Sequence, residues 1–459
     1  MIAPLPRQNR LFHWLTIIFL GGGVGLGLLG CLFFLTIELN ASRTLLYWLC
    51  EIILILIAAA AYLIAGKRQR DKSKAVTPQI NEAINQDEAV LGVNKSKLDQ
   101  TLEHLITVCF VIAVVAVAIR GSFFWMHESM GSWDAWSYWN CRALGIVRGG
   151  NDWKVLLGLD APFADYPMLL PSCIAGYWKI LKDEPLMFPR ALSVFYSASI
   201  YGLLFSALAQ IKGLREAKVG TMIVLGTQVV ARWIGAQTAD GPYCYYLLSA
   251  VVSGVSYSLY QKNGFALLCG LFVGLAAFTK NEGLIFAAMT GGAAILWILK
   301  HRQSVNWTAI KWFVAGITAP LCMAVFTKLT GSHDYLQSSP IALYEKRTIL
   351  DVIKLCFFYG SDFGHWAWNP IPLIIGYIVV SGASVPARLK PVSATLLLSF
   401  VLTMAVYGVI YLRRLPAYQD IEHNLDRLIG HWFVILVFII LVSLNRARHN
   451  DTSQRLTQT

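Results

Sequence analysis

The sequence predicts an all-α, polytopic membrane protein of about twelve transmembrane helices, and three observations carry that reading. Of the 459 residues, 56% are hydrophobic and only 14% are charged, with a mean hydropathy of +0.56. A soluble domain carries about 25% charged residues, so the bilayer is the solvent here. The apolar residues also fall in runs of roughly 20, the length that spans a hydrocarbon core, separated by short polar breaks. Finally, most of the basic residues behind the formal net charge of +12 stand between those runs. That distribution belongs to membrane orientation rather than to nucleic-acid binding, which would gather them on one face.

The first apolar run, residues 12–36, is too long for a signal-peptide core and lacks a small-residue cleavage site, so it is expected to remain as a helix. A second run at 44–65 completes an N-terminal transmembrane hairpin over 1–65. Residues 66–102 are polar, of low complexity and basic where they leave the helix, which predicts a flexible cytoplasmic loop. From that loop the helices alternate in direction: 103–122 outward, 187–210 inward, 219–234 outward and 242–260 inward. The remaining runs are 265–279, 283–299, 309–329, 366–384, 392–411 and 429–445. Residues 265–279 barely span and suit a tilted or re-entrant segment. A transmembrane core thus covers 103–446, with a large external loop at 121–185 and a cytoplasmic tail at 447–459. Both termini are expected in the cytoplasm and the protein in the plasma (inner) membrane. The basic excess then falls on the inner side, as membrane orientation requires.

Nine cysteines occur without a CxxC or a Cys/His cluster, and Cys31, Cys109, Cys269 and Cys322 lie inside apolar runs as small core residues. No glycine-rich nucleotide loop is present.

The external segment 121–185 is unusual in kind. Trp125, Trp133, Trp136, Trp139, Trp153 and Trp178 mix with Asp134, Asp152, Asp160 and Asp165 and with apolar pieces too short to span. Such pieces are expected to lie as interfacial helices, where tryptophan is favoured. Asp134, between Trp133 and Trp136 and shortly after a transmembrane helix, is the acid best placed to act as a base. The plainer reading of these acids is an aromatic belt with solvated carboxylates.

The stretch WDAWSYWNCRA, followed by DYPMLLP, resembles the first external loop of membrane-embedded C-type glycosyltransferases, the superfamily of protein mannosyltransferases and lipid A aminoarabinose transferases. The resemblance implies that Asp134 is the catalytic carboxylate and that Asp165 and Tyr166, in the Asp-Tyr-Pro element, face substrate. The turn FTKNEGLIF is similar to the Lys-x-Glu-Gly turns of bacterial members and places Lys280 and Glu282 at the outer end of a hairpin. The segment RRLPAYQDIEHNLDRLIGHWF resembles the external C-terminal segment of the family and offers Arg413, Arg414, His423, Arg427 and His431. On this reading Lys280, Arg427, Arg413 and Arg414 hold a donor phosphate. His365, in the external loop 331–366, helps shape the acceptor pocket. Residues 1–102 depart from the family, in which one helix normally precedes the first-loop motif.

Members of that superfamily move a sugar from a polyprenyl monophosphate to an acceptor outside the cytoplasm. The implied activity is hexosyl or pentosyl transfer from a lipid-phosphate sugar to a lipid, glycan or protein acceptor of the cell envelope, with membrane lipids as surroundings and no nucleic acid as partner. The resemblance implies no certain cofactor; some members use a divalent metal ion, for which Asp134 with Asp165 or His127 would supply ligands, although their spacing is not a metal signature. The competing class is a secondary transporter of about twelve helices with both ends inside. Transporters usually hold ionisable residues near the bilayer midplane, and these helices are nearly free of them, Glu51 being the clearest exception.

Overall fold

The computed structural model describes residues 7–39, 97–156, 166–301, 305–330, 389–414 and 418–443, with the side chains of 7–10, 151, 155–156 and 408–426 outside that description. The described residues are helical, with no strand among them. In chain order the helices are α1 (Arg7–Glu38), α2 (Lys97–His127), α3 (Asn140–Gly149), α4 (Leu169–Leu181), α5 (Met187–Ile211), α6 (Leu214–Leu225) and α7 (Gln228–Ala236). They continue with α8 (Asp240–Tyr260), α9 (Asn263–Thr279), α10 (Asn281–Lys300), α11 (Trp307–Thr330), α12 (Lys390–Arg414) and α13 (Tyr418–Ser443).

Six of these, α1, α2, α5, α10, α11 and α12, contain segments long and apolar enough to cross a membrane. The pair α6 and α7 makes a seventh if it is one broken span. The runs at 44–65 and 366–384 lie outside the described residues, as does the polar loop before Lys97. The single helix expected over 219–234 is corrected to two helices bent by 71°. Thr227 turns extended between them while its hydroxyl donates to the Ile223 carbonyl at 2.9 Å, so the chain leaves one helix and starts the next across Gly226 and Thr227.

Helix α8 is the centre of the bundle, with Tyr243, Tyr245 and Tyr246 wholly enclosed. Their hydroxyls need partners in that setting. Tyr246 lies 3.0 Å from the Tyr196 hydroxyl of α5 and donates to the Gly23 carbonyl of α1, while Tyr245 donates to the Phe19 carbonyl. The approach is possible because α1 carries glycine there; a Cβ on Gly23 would collide with the Tyr245 ring. Helix α1 is therefore built into the same core as α8, with Phe33 and Phe34 buried in it. Helix α2, by contrast, has none of its most apolar stretch buried, as suits a helix facing lipid.

Within the 121–185 segment, α2 itself continues to His127, and a π-helical turn (Ala135–Trp139), α3, a 3₁₀ turn and a single helical turn follow. Helix α4, one of the apolar pieces too short to span, is largely buried. It packs inside the protein against α1, where the Cys173 thiol donates to the Leu26 carbonyl at 3.3 Å and Gly30 leaves room for Cys173 and Leu169.

The tightest helix pair is α9 with α11. Cβ atoms on Gly270 and Gly316 would meet the Phe313 and Leu267 carbonyl oxygens respectively, and Gly274 sits under Ile317 and Pro320. In lipid, close backbone approach through small residues replaces the hydrophobic drive to associate. Gly316→Ala is therefore expected to cost about 1–3 kcal/mol through forced displacement of backbone. Gly291→Ala, in the open on α10, should be neutral or stabilising by up to about 1 kcal/mol. Thermal unfolding of both variants in detergent checks the contrast, and equal shifts would remove the α9–α11 backbone contact from the account of stability.

Candidate functional site

The loop after α2 is stitched to the junction of α7 and α8. Gly131 turns with a φ of +76°, where a Cβ would press on the Ala236 carbonyl, and the Ser132 backbone N–H donates to that same carbonyl at 3.0 Å. Gln237 ends α7 in the left-handed region. Its side chain amide donates to the Ser129 carbonyl at 3.2 Å and accepts from Asn140 at 3.1 Å. Its own N–H reaches the Ser193 hydroxyl, which in turn bonds the Trp233 carbonyl at 2.7 Å. These bonds hold the residue before the π-helical turn, Asp134, beside the start of α8. A π turn is a rare form that often marks a functional position.

The residue that starts α8 is Asp240, and it organises the site. One carboxylate oxygen accepts from Lys280 Nζ at 2.8 Å and lies 3.0 Å from His431 Nε2. The other accepts from Thr238 Oγ1 at 3.0 Å and from Arg427 through Nε at 3.1 Å and Nη2 at 2.6 Å. The Asp240 side chain is only 2% exposed.

Lys280 reaches Asp240 because it is the one extended residue between α9 and α10, and its hairpin closes on Gly283, whose Cβ would strike the Ala276 carbonyl. Nζ also lies 2.8 Å from Glu282. Burial works against the ammonium, but Asp240 and Glu282 outweigh it, so the Lys280 pKa is raised and the group stays a cation. Arg427 and His431 stand one turn apart on the same face of α13. The His431 ring stacks on Trp233 at 5.1 Å and meets Tyr243 edge-on at 4.8 Å.

The cluster has an outer rim. Arg427 Nη2 lies 2.7 Å from Asp134 Oδ2, and these two side chains are 27% and 25% exposed, against 2% for Asp240 and 6% for Lys280. Trp133 and Trp136 beside them are exposed and meet edge-to-face at 6.1 Å. Among the described residues, three carboxylates (Asp134, Asp240, Glu282) face two permanent cations (Lys280, Arg427), so with His431 neutral the cluster carries a formal excess of one negative charge.

Asp134, Lys280, Glu282 and Arg427, which lie far apart in sequence, are thus brought together. Tyr166 lies within electrostatic reach of Lys280, packs edge-on against Trp139, and accepts from Arg142 through its carbonyl at 2.9 Å. Asp165 and His365 lie outside the described residues, and Arg413 and Arg414 end α12 with side chains outside the description. His127 stacks on Phe123 with Nδ1 at 2.9 Å from the Phe123 carbonyl, an arrangement that does not aim it at Asp134. No group of three or more metal-ligating side chains is found among the described residues.

Sequence reasoning missed Asp240. A signal was available, since it is the only acid between Glu216 and Glu282, at the mouth of an apolar run, and an ionisable residue in such company is a functional candidate. Compared with known families, curated proteins and solved structures, the chain matches none.

Proposed function

We propose that this protein is a membrane glycosyltransferase of the C-type architecture, with about twelve spans and both termini in the cytoplasm. It moves a hexosyl or pentosyl group from a polyprenyl-phosphate donor to a lipid, glycan or protein acceptor on the extracytoplasmic side. The observation that carries the proposal is the half-exposed Asp134–Arg427 pair, at 2.7 Å, on the rim of a buried charge cluster. A carboxylate there can take the proton of an acceptor hydroxyl, and a guanidinium can hold a phosphate oxygen as charge builds on it. In the transfer the acceptor oxygen bonds to the anomeric carbon, the bond from that carbon to the phosphate oxygen breaks, and its electron pair leaves with the phosphate.

Arg427 is the donor-phosphate ligand on this reading, with Arg413 and Arg414 as further cations. Lys280, enclosed by Asp240 and Glu282, keeps the hub charged and ordered. Tyr166, Glu282, Asp165 and His365 belong to the substrate side. The exposed Trp133 and Trp136 suit a site at the membrane interface, where a prenyl chain lies in lipid and its phosphate at headgroup depth.

The buried Asp240 cluster also bears on the transporter reading, because ionisable residues inside a helical bundle mark transport pathways. Its position favours the enzyme. Asp240 is the first residue of α8 and Lys280 joins two helices, so these two charges stand at helix ends, while Arg427 and His431 reach them from within α13.

Mass spectrometry of lipid-linked sugars and envelope glycans from cells lacking the protein tests the proposal. One polyprenyl-phosphate sugar is expected to accumulate and one glycan to lose a residue. Unchanged pools of both, together with lost uptake of a small solute, would transfer the case to transport.

A further inference from the structure

We infer that Asp134 is masked in the resting protein, and that the donor phosphate unmasks it by taking over the outer side of the Arg427 guanidinium. The inference rests on the glycosyl-transfer reading and adds an order of events to it. Three observations support it.

The guanidinium is held unequally on its two sides. Inward, Asp240 takes both Nε and Nη2 of Arg427 and is itself fixed by Lys280, His431 and Thr238. Outward, Asp134 Oδ2 lies 2.7 Å from Nη2, and the Asp134 side chain is 25% exposed against 2% for Asp240. A part-exposed ion pair exchanges partners at little cost, whereas the buried one does not. Arg427 therefore remains anchored on Asp240 while its outer partner changes.

The contact is also incompatible with the reaction. A displacement with inversion puts the attacking hydroxyl and the leaving phosphate on opposite faces of the anomeric carbon. In inverting glycoside hydrolases, the nearest chemical analogy, the two carboxyl groups serving opposite faces stand roughly 6.5–9.5 Å apart. A base in contact with the phosphate ligand has no room for a sugar between them. The pair must open before transfer.

Charge points the same way. With three carboxylates against two permanent cations among the described residues, a phosphate arriving at Arg427 meets the repulsion of Asp134 and competes with it. Removing that carboxylate should therefore strengthen donor binding even though it removes the base.

The test uses the full-length protein in nanodiscs, titrated with a sugar-free polyprenyl phosphate and, as control, with the corresponding polyprenol; tryptophan emission reports binding. Asp134→Asn, and independently Asp134→Ser, are expected to bind the phosphate about tenfold more tightly than wild type, the scale of one like charge removed from a partly solvated site. Arg427→Lys is expected to bind it more weakly, and the polyprenol should not distinguish any of them. Equal or weaker phosphate binding by both Asp134 variants would overturn the masking while leaving the glycosyltransferase reading in place. Indifference of the wild type and all variants to the phosphate would overturn both.

Discussion

Asp134→Asn is expected to slow sugar transfer by about 10² to 10⁴-fold while the protein folds normally, the range that loss of a general base produces. The carboxamide has the shape of the carboxylate, and its oxygen can still accept from Arg427 Nη2, so the rim geometry is kept. It cannot accept the acceptor hydroxyl's proton at neutral pH. Because the same substitution removes a competitor for Arg427, kcat should fall while KM for the donor falls too, a combination that a folding defect would not produce. Steady-state assays with a polyprenyl-phosphate sugar measure both constants. The exposed Asp152 provides the comparison, and Asp152→Asn should leave both unchanged. Near wild-type turnover in Asp134→Asn would return Asp134 to an aromatic belt flanked by Trp133 and Trp136.

The expected magnitude depends on a site whose parts were unequally legible in the sequence. Helices over 187–210, 242–260, 283–299 and 309–329 follow from apolar runs bounded by polar residues, and the structure places helices there with ends shifted by a few residues. The break at Thr227 was not legible, because hydropathy reads through a residue that leaves helical geometry without leaving the apolar run. The role of α1 was equally hidden: its glycines read as a merely apolar span, and only the opposing Tyr245 and Tyr246 show why they are small. At the site, Asp134, Lys280 and Arg427 stood out through their resemblance to short motifs. Asp240 has no motif. Its importance comes from four partners that converge only on folding, from the segment before α8, the turn after α9 and two positions of α13.

Asp240→Asn is expected to cost about 3–5 kcal/mol of stability, as breaking a buried ion pair from one side does. The amide oxygen can replace one carboxylate oxygen and still accept from Lys280. The amide nitrogen then takes the place of the other, where it meets the N–H groups of Arg427 and the Thr238 hydroxyl. Donor faces donor, and the cations lose the carboxylate that compensated their burial. Glu282 still lies 2.8 Å from Lys280 and Asp134 2.7 Å from Arg427, which places the loss within that range rather than above it. A companion variant separates charge balance from mere disruption. Asp240→Asn combined with Lys280→Met removes opposite charges together, so its loss should be smaller than the sum of the two single losses by at least about 1 kcal/mol, the signature of directly coupled residues. Thermal unfolding of the three variants in detergent supplies the cycle. Additive losses, or an Asp240→Asn protein within about 0.5 kcal/mol of wild type, the range of an ordinary surface change, would show that Asp240 is not the hub of the site. The double variant should nevertheless transfer sugar poorly, because nothing then anchors Arg427 when its outer partner changes.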